Sequence, residues 1–292
     1  MLSYESISEL CQKASEQNKK ISEIVLSDEA IQMEQTEQEI FNRMAQSFKI
    51  MCQAVNEGKN PNLRSTSGLT GGDAAKMEKY AQTGGLCGSF LNFAISKAIA
   101  VSEYNAAMGK IVAAPTAGSC GILPACIISI VESGKCDENE AIMSLFTAGA
   151  FGMVIAQKAS VAGAEGGCQA ECGSASAMAA ACLVELAGGT PEQAAHACAM
   201  AIKNQLGLVC DPVAGLVEIP CIKRNVSGTV IAFSSAEMAL AGIESKIPAD
   251  ECIMAMKQVG ASLPCSLRET SQGGLAITPT GLELKEQVFG AK

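Results

Sequence analysis

At 292 residues the chain can bury a sizeable core as one large domain or two small ones. Its formal charge of −9 would be repelled by phosphate backbones, which excludes a nucleic-acid partner on electrostatic grounds. Aromatic residues make up 4% and tryptophan is absent, so the core is expected to pack small side chains between closely approaching helices.

Met1-Leu2-Ser3-Tyr4-Glu5 opens a polar segment rather than a signal peptide. The 14 cysteines, spread along a mid-sized chain, then read as reduced thiols of a cytoplasmic protein. Most of them, including Cys11, Cys52, Cys126, Cys182, Cys198 and Cys252, are expected to be small buried hydrophobes. The longest uncharged run lies between Lys110 and Glu132. It contains Pro115, Gly118, Gly121 and Pro124, so no membrane span is expected there.

Residues 3–58 are predicted as an amphipathic helical region with Ser27-Asp28-Glu29 as a cap and Gly58-Lys59-Asn60-Pro61 as its end. Composition separates residues 1–60 from residues 61–292. The first part is either a helical layer on the core or an arm that grips a partner chain, and a single domain over 1–292 fits as well.

Ser65-Thr66-Ser67-Gly68-Leu69-Thr70-Gly71-Gly72-Asp73 precedes a predicted helix over 74–82. Glycines and hydroxyls ahead of a helix N-terminus form a natural anion site, and a carboxylate fits it as well as a phosphate. An ordinary turn capped by Asp73 accounts for the same residues. A helix over 89–108 follows, then a second Gly/Pro/hydroxyl segment, 112–124, opening a helix through residue 130. Thr116 and Ser119 offer another polar surface there. Asp137 caps a long apolar helix over 138–157.

Residues 163–173, GAEGGCQAECG, interrupt the helices again. Helices are predicted over 175–187 and 190–205, the second opened by Thr190-Pro191-Glu192. Leu208 to Asn225, LVCDPVAGLVEIPCIKRN, shows neither helical nor strand period. Its prolines and Gly215 predict an ordered irregular loop, and its apolar content predicts burial. Helices over 226–243 and 249–259 complete the regular structure. With few alternating β-branched runs, the fold class is all-α: helices punctuated by glycine-rich loops that carry the chemistry.

No strand-GxGxxG-helix unit supports nucleotide or hydride chemistry. His196 is the only histidine and sits in a plain helical run, so a structural role is favoured over a Ser-His-Asp triad and a histidine-rich zinc site is excluded. Thiolate ligation is what remains. Cys168, Cys210 and Cys221 are placed in loops, Cys172 and Cys265 are weaker candidates, and Cys87 and Cys120 also lie beside glycines. Four thiolates would make a closed zinc site or a fully ligated cluster, and three would leave a metal position open. On spacing alone, buried free cysteines are ahead by base rate.

The blocks PTAGSCGILPA (115–125), GAEGGCQAECGSASAMAAA (163–181), LGLVCDPVAGLVEIPCIKRN (206–225) and RETSQGGLA (268–276) resemble the iron–sulfur-dependent bacterial L-serine dehydratases, and within them the α chain of the two-chain type. The resemblance runs in order from Ser65 to Ala276. It implies an all-helical catalytic domain, a [4Fe–4S] cluster held by Cys168, Cys210 and Cys221 with one iron open to substrate, L-serine as substrate, and a separate β chain in a hetero-oligomer. Cys172 falls outside the implied ligand set. Pyridoxal phosphate is not expected, because no lysine has the sequence context of its Schiff base in the competing family. For substrate, Ser67, Gly68, Thr70, Gly71 and Gly72 are the choice for the carboxylate. Thr116 and Ser119 are chosen for the hydroxyl or ammonium side, and Asn225 lies just beyond the cluster. Related sequences carry a histidine just before the Leu-Gly-Leu block, where this chain has Lys203-Asn204-Gln205. Lys203 is thus the in-chain candidate for the base, beside a base donated by the β chain. The alternative function is a non-catalytic zinc-binding or scaffold subunit with Cys172 as fourth ligand.

Overall fold

The computed structural model describes residues 4–290. Met1–Ser3, where the polar N-terminal reading begins, and the last two residues of the 61–292 segment lie outside that range. Among the described residues the fold is all-α, with one isolated bridge between Cys210 and Arg268.

The N-terminal part contributes α1 (Ile7–Glu16), α2 (Ile21–Met33) and α3 (Glu37–Gly58). Ser27 and Asp28, expected as a cap, lie inside α2. The break comes at Glu34, in a left-handed conformation, and Thr36 caps α3 through a capping box with Glu39. Asp28 instead accepts hydrogen bonds from Tyr4 Oη at 2.8 Å and Lys13 Nζ at 2.6 Å, tying α2 to the chain start.

Next come α4 (Asp73–Ala81), α5 (Gly88–Ala106), α6 (Ile122–Glu132), α7 (Glu138–Lys158) and the single turn α8 (Gly163–Gly166). A π-helical turn, Gln169–Gly173, leads without a break into α9 (Ser174–Leu186). The remainder is α10 (Pro191–Lys203), α11 (Cys221–Leu240), α12 (Ala249–Ser262) and α13 (Pro279–Phe289). Asp137 caps α7 and Thr190 with Pro191 opens α10, as their side-chain chemistry predicts.

The organising element is α9. Every residue from Ser174 to Glu185 is buried, and α6, α7, α10 and α11 pack around it. Its sequence SASAMAAACLVEL is small on all faces, as a helix enclosed by neighbours on every side requires. One continuous apolar core runs from Tyr4 through α9 to Met256 in α12 and includes side chains from α1, α2 and α3. Glu185, buried in α9, accepts from the Ser22 N–H at 3.1 Å and from Thr147 Oγ1 at 2.7 Å, which fastens α2 and α7 to the central helix. Helix α7 is long and apolar enough to cross a membrane, and 67% of its apolar window is buried inside the fold.

Small residues set the closest helix approach. A Cβ added at Gly58, the last residue of α3, would overlap the Ala100 carbonyl of α5. Gly58→Ala is therefore expected to cost about 1–3 kcal/mol through forced separation of the two helices. The measurement is a lower urea midpoint at unchanged slope.

Candidate functional site

The irregular segment after α10 runs to Pro220, where α11 begins. Cys221, expected in the loop, is the first residue of that helix. The backbone of Cys210 is held on one side by the tail: its N–H donates to Leu267 O at 2.8 Å and its carbonyl accepts from the Glu269 N–H at 2.7 Å. On the other side the Gln169 N–H donates to Leu208 O at 3.0 Å, and Arg224 Nη1 donates to Val209 O at 2.7 Å. Both acidic residues of the segment are buried. Asp211 accepts from Arg224 Nη2 at 2.8 Å and from the Leu275 N–H at 2.8 Å. Glu218 turns towards the 65–72 loop.

The π-helical turn brings the third thiol into the same neighbourhood. Cys168 precedes the turn and Cys172 lies within it, their sulfurs 3.4 Å apart. Cys168, Cys210 and Cys221 are 2%, 3% and 7% exposed. The Cys172 thiol, and after it the Arg224 guanidinium, favour the Cys168 thiolate and hold its pKa below the ordinary thiol value. Cys172 is pushed well up by that same contact and by burial. Burial, followed by the negative charges of Cys168 and Glu171, raises Cys210 and pushes Cys221 up to about 12. Each thiol thus feels the others, and one guanidinium, Arg224, stands among them.

Glu171, in the middle of the π turn, is a polar group that sequence reasoning missed. Its Oε1 accepts from Thr116 Oγ1 at 2.9 Å and its Oε2 lies 4.0 Å from Cys210 Sγ. Burial raises its pKa, partly opposed by the Thr116 hydrogen bond. Ser119 Oγ, fully buried, lies 3.1 Å from Thr116 Oγ1. Thr116, Ser119, Glu171 and the thiols therefore form one polar group in an apolar setting.

The other expected site residues are placed differently. Ser67 Oγ donates to one oxygen of Glu218 at 2.8 Å and Thr70 Oγ1 donates to the other at 2.5 Å, so the chain's own carboxylate occupies this anion site. The N-terminus of α4 is likewise filled: Glu103, buried in α5, accepts from the N–H groups of Asp73 and Ala74 at 3.1 and 3.2 Å. Neither the free helix N-terminus nor the Asp73 cap is what forms; Gly72 is the N-cap residue. Gly68, Gly71 and Gly72 have φ of 78°, 130° and 79°, so the turn itself requires glycine there. Asn225 Nδ2 donates to Gly118 O at 2.7 Å and Cys221 O at 2.9 Å, while Oδ1 accepts from the Gly121 N–H at 2.8 Å. Its amide is committed to clamping the 118–121 segment onto α11.

The structure does not bring Lys203 to the thiols. Its Nζ donates to Ser245 Oγ at 2.8 Å, in the connection between α11 and α12. The Ser245 N–H in turn donates to His196 Nδ1 at 3.3 Å, a structural role for the single histidine.

Among the described residues no three His, Cys, Asp or Glu side chains are spaced to hold a single metal ion. A mononuclear zinc site needs every sulfur about 2.3 Å from one centre. Thiolates of a four-iron cluster are instead spread over different irons. Three buried thiols that share a neighbourhood are a donor set that such a cluster can use. The donor set also suits it: soft sulfur ligands, one of them already favoured as thiolate, beside a cation.

The family model described as "Serine dehydratase alpha chain" matches residues 16–276. The chain is 51% identical over 288 residues to the "Probable L-serine dehydratase, alpha chain" of Bacillus subtilis, covering 98% of this chain and 96% of that protein. It is 46% identical over 278 residues to the "L-serine dehydratase, alpha chain" of Peptoniphilus asaccharolyticus, covering 95% of each. The "L-serine dehydratase" of Streptomyces coelicolor is 46% identical over 184 residues, which are 62% of this chain and 40% of that longer protein.

Proposed function

The chain belongs to the serine dehydratase α-chain family, and on that basis we propose that it is the α subunit of an L-serine dehydratase. It would convert L-serine to pyruvate and ammonia in the cytoplasm, together with a separate β chain. The observation that carries this reading is near full-length likeness to proteins named for that activity, combined with three buried thiols beside Arg224 and Glu171.

Cys168, Cys210 and Cys221 are assigned to a [4Fe–4S] cluster, which when bound supplies a Lewis acid that draws charge from the β C–O bond of serine. The rest of the work falls to this chain's own side chains. Arg224, fixed by Asp211 and the Val209 carbonyl, keeps a positive charge beside Cys168. Thr116 and Ser119 orient the polar wall that faces the substrate. A substrate carboxylate at Ser67 and Thr70 would have to displace Glu218, so the 65–72 loop is assigned a part in substrate entry. Loss of the Cα proton and of the hydroxyl gives aminoacrylate, which tautomerises to the imine and hydrolyses. Because Lys203 is held by Ser245, we assign the base for the Cα proton to the β chain.

A non-catalytic zinc or scaffold subunit has less support, since the relatives are named as enzymes. The test is purification without air alongside the candidate β chain. Expected are about four irons per α chain and serine-dependent pyruvate. Iron-free protein that gains nothing on reconstitution would sink the proposal.

A further inference from the structure

Glu171 is a half-buried carboxylate without a cation. Its one strong donor is Thr116, and none of the seven ion pairs among the described residues includes it. The adjacent guanidinium of Arg224 is already taken by Asp211 and the Val209 carbonyl. A carboxylate offers about four acceptor positions, so most of those on Glu171 are open. Partial withdrawal from water weakens solvation of these positions, so a donor brought by a ligand would gain from filling them.

The surroundings keep space for this carboxylate. A Cβ at Gly118 would lie 3.1 Å from Oε1, and a Cβ at Gly163 would lie 2.7 Å from Oε2. Neither glycine has a positive φ, so the backbone does not demand glycine at either place. Two segments distant in sequence have each given up a side chain around the same pair of oxygens. One of those oxygens faces Cys210 Sγ, on the thiol side of the site.

We propose that Glu171 is the acceptor for the ammonium group of the amino-acid substrate. The proposal rests on the reading of L-serine as substrate and adds which end of the molecule meets the protein's carboxylate. An ammonium brings the missing charge and three donors. Thr116, itself steadied by Ser119, holds Oε1 and leaves Oε2 turned towards the thiols. The contact would select α-amino acids over acids with the same carboxylate and hydroxyl but no amine.

The test compares wild-type and Glu171→Gln α chain, each prepared anaerobically with the β chain. The variant is isosteric, and Thr116 can still donate to its amide oxygen. Binding of L-alanine, which has the ammonium but no hydroxyl, is measured by equilibrium dialysis. It is set against β-hydroxypropionate, which has the hydroxyl but no ammonium, and iron content is followed in parallel. In the variant, L-alanine binding is expected to weaken roughly 10- to 100-fold while β-hydroxypropionate binding stays within about twofold. Unchanged L-alanine affinity, or equal loss for both ligands, overturns the assignment. Loss of iron in the variant also overturns it, by making Glu171 a metal ligand. Absence of serine-dependent pyruvate formation by the same wild-type preparation would instead overturn the proposed function beneath it.

Discussion

Replacing Cys210 by serine is expected to leave an α chain that folds, binds little iron and forms pyruvate from L-serine at less than about 1% of the normal rate. Loss of a supporting group around a bound metal typically costs 10- to 100-fold, and loss of a direct ligand should exceed that. The fold should survive, because Cys210 is held through its backbone: its N–H and carbonyl pair with Leu267 and Glu269 whatever the side chain. The informative partner is Cys172→Ala. Cys172 is fully buried and 3.4 Å from Cys168, so proximity alone makes it as good a ligand as the others. Under the three-cysteine assignment the alanine variant keeps its iron and most of its turnover. Under a four-thiolate zinc site it loses its metal as Cys210→Ser does. Iron, zinc and sulfide content with anaerobic pyruvate formation decide between them, and equal loss in both variants would reject the three-cysteine set.

Much of the helical scaffold was legible because helix ends are written in local chemistry. Asp137, Thr190-Pro191 and the Gly58-Lys59-Asn60-Pro61 stop act within a few residues of themselves. Ser27-Asp28 misled for the complementary reason: a polar pair in mid-helix has the composition of a cap, and only the tertiary partners Tyr4 and Lys13 show what Asp28 does. Helix α11 starts at Cys221, five residues ahead of the expected 226, because Pro220 closes the irregular segment and stands just before the helix.

The sequence pointed to the thiols that the fold brings into one neighbourhood, but not to the carboxylates beside them. Hydroxyls and glycines around 65–73 do form an anion site, but long-range packing fills it with Glu218 and Glu103, which lie about 150 and 30 residues away in sequence. A signal was present: Glu171, Asp211 and Glu218 are charges within Ala-, Gly- and Val-rich stretches where burial is expected, and a buried charge implies a partner. What no local pattern carries is the π-helical turn that aims Glu171 at Cys210. Such turns arise from a single extra residue in a helix and often mark functional positions.

Asp211→Ala should be the most destabilising single change next to the thiols, by about 3–5 kcal/mol. Asp211 is 3% exposed and closes two connections at once: Arg224 of α11 through one oxygen and the Leu275 N–H of the tail through the other. Alanine leaves a guanidinium, itself largely withdrawn from water, with only the Val209 carbonyl, and it leaves a backbone donor unpaired. The neighbouring glycine makes the fit tight, since a Cβ at Gly274 would run into the Asp211 carboxylate. In a chain of this size the loss corresponds to a fall in Tm on the order of 10 °C. Measuring it on metal-free protein separates it from any effect of iron. Because the ion pair also sets where Arg224 stands beside Cys168, the conservative Asp211→Asn variant is the sharper probe. It can keep the hydrogen bond to the Leu275 N–H while removing the charge that pairs with Arg224. An Asn variant as unstable as the Ala variant would locate the stability in the charge pair; one close to wild type would locate it in the tail connection. The first outcome is expected, because a guanidinium this buried loses more from an absent counter-charge than the tail loses from one hydrogen bond.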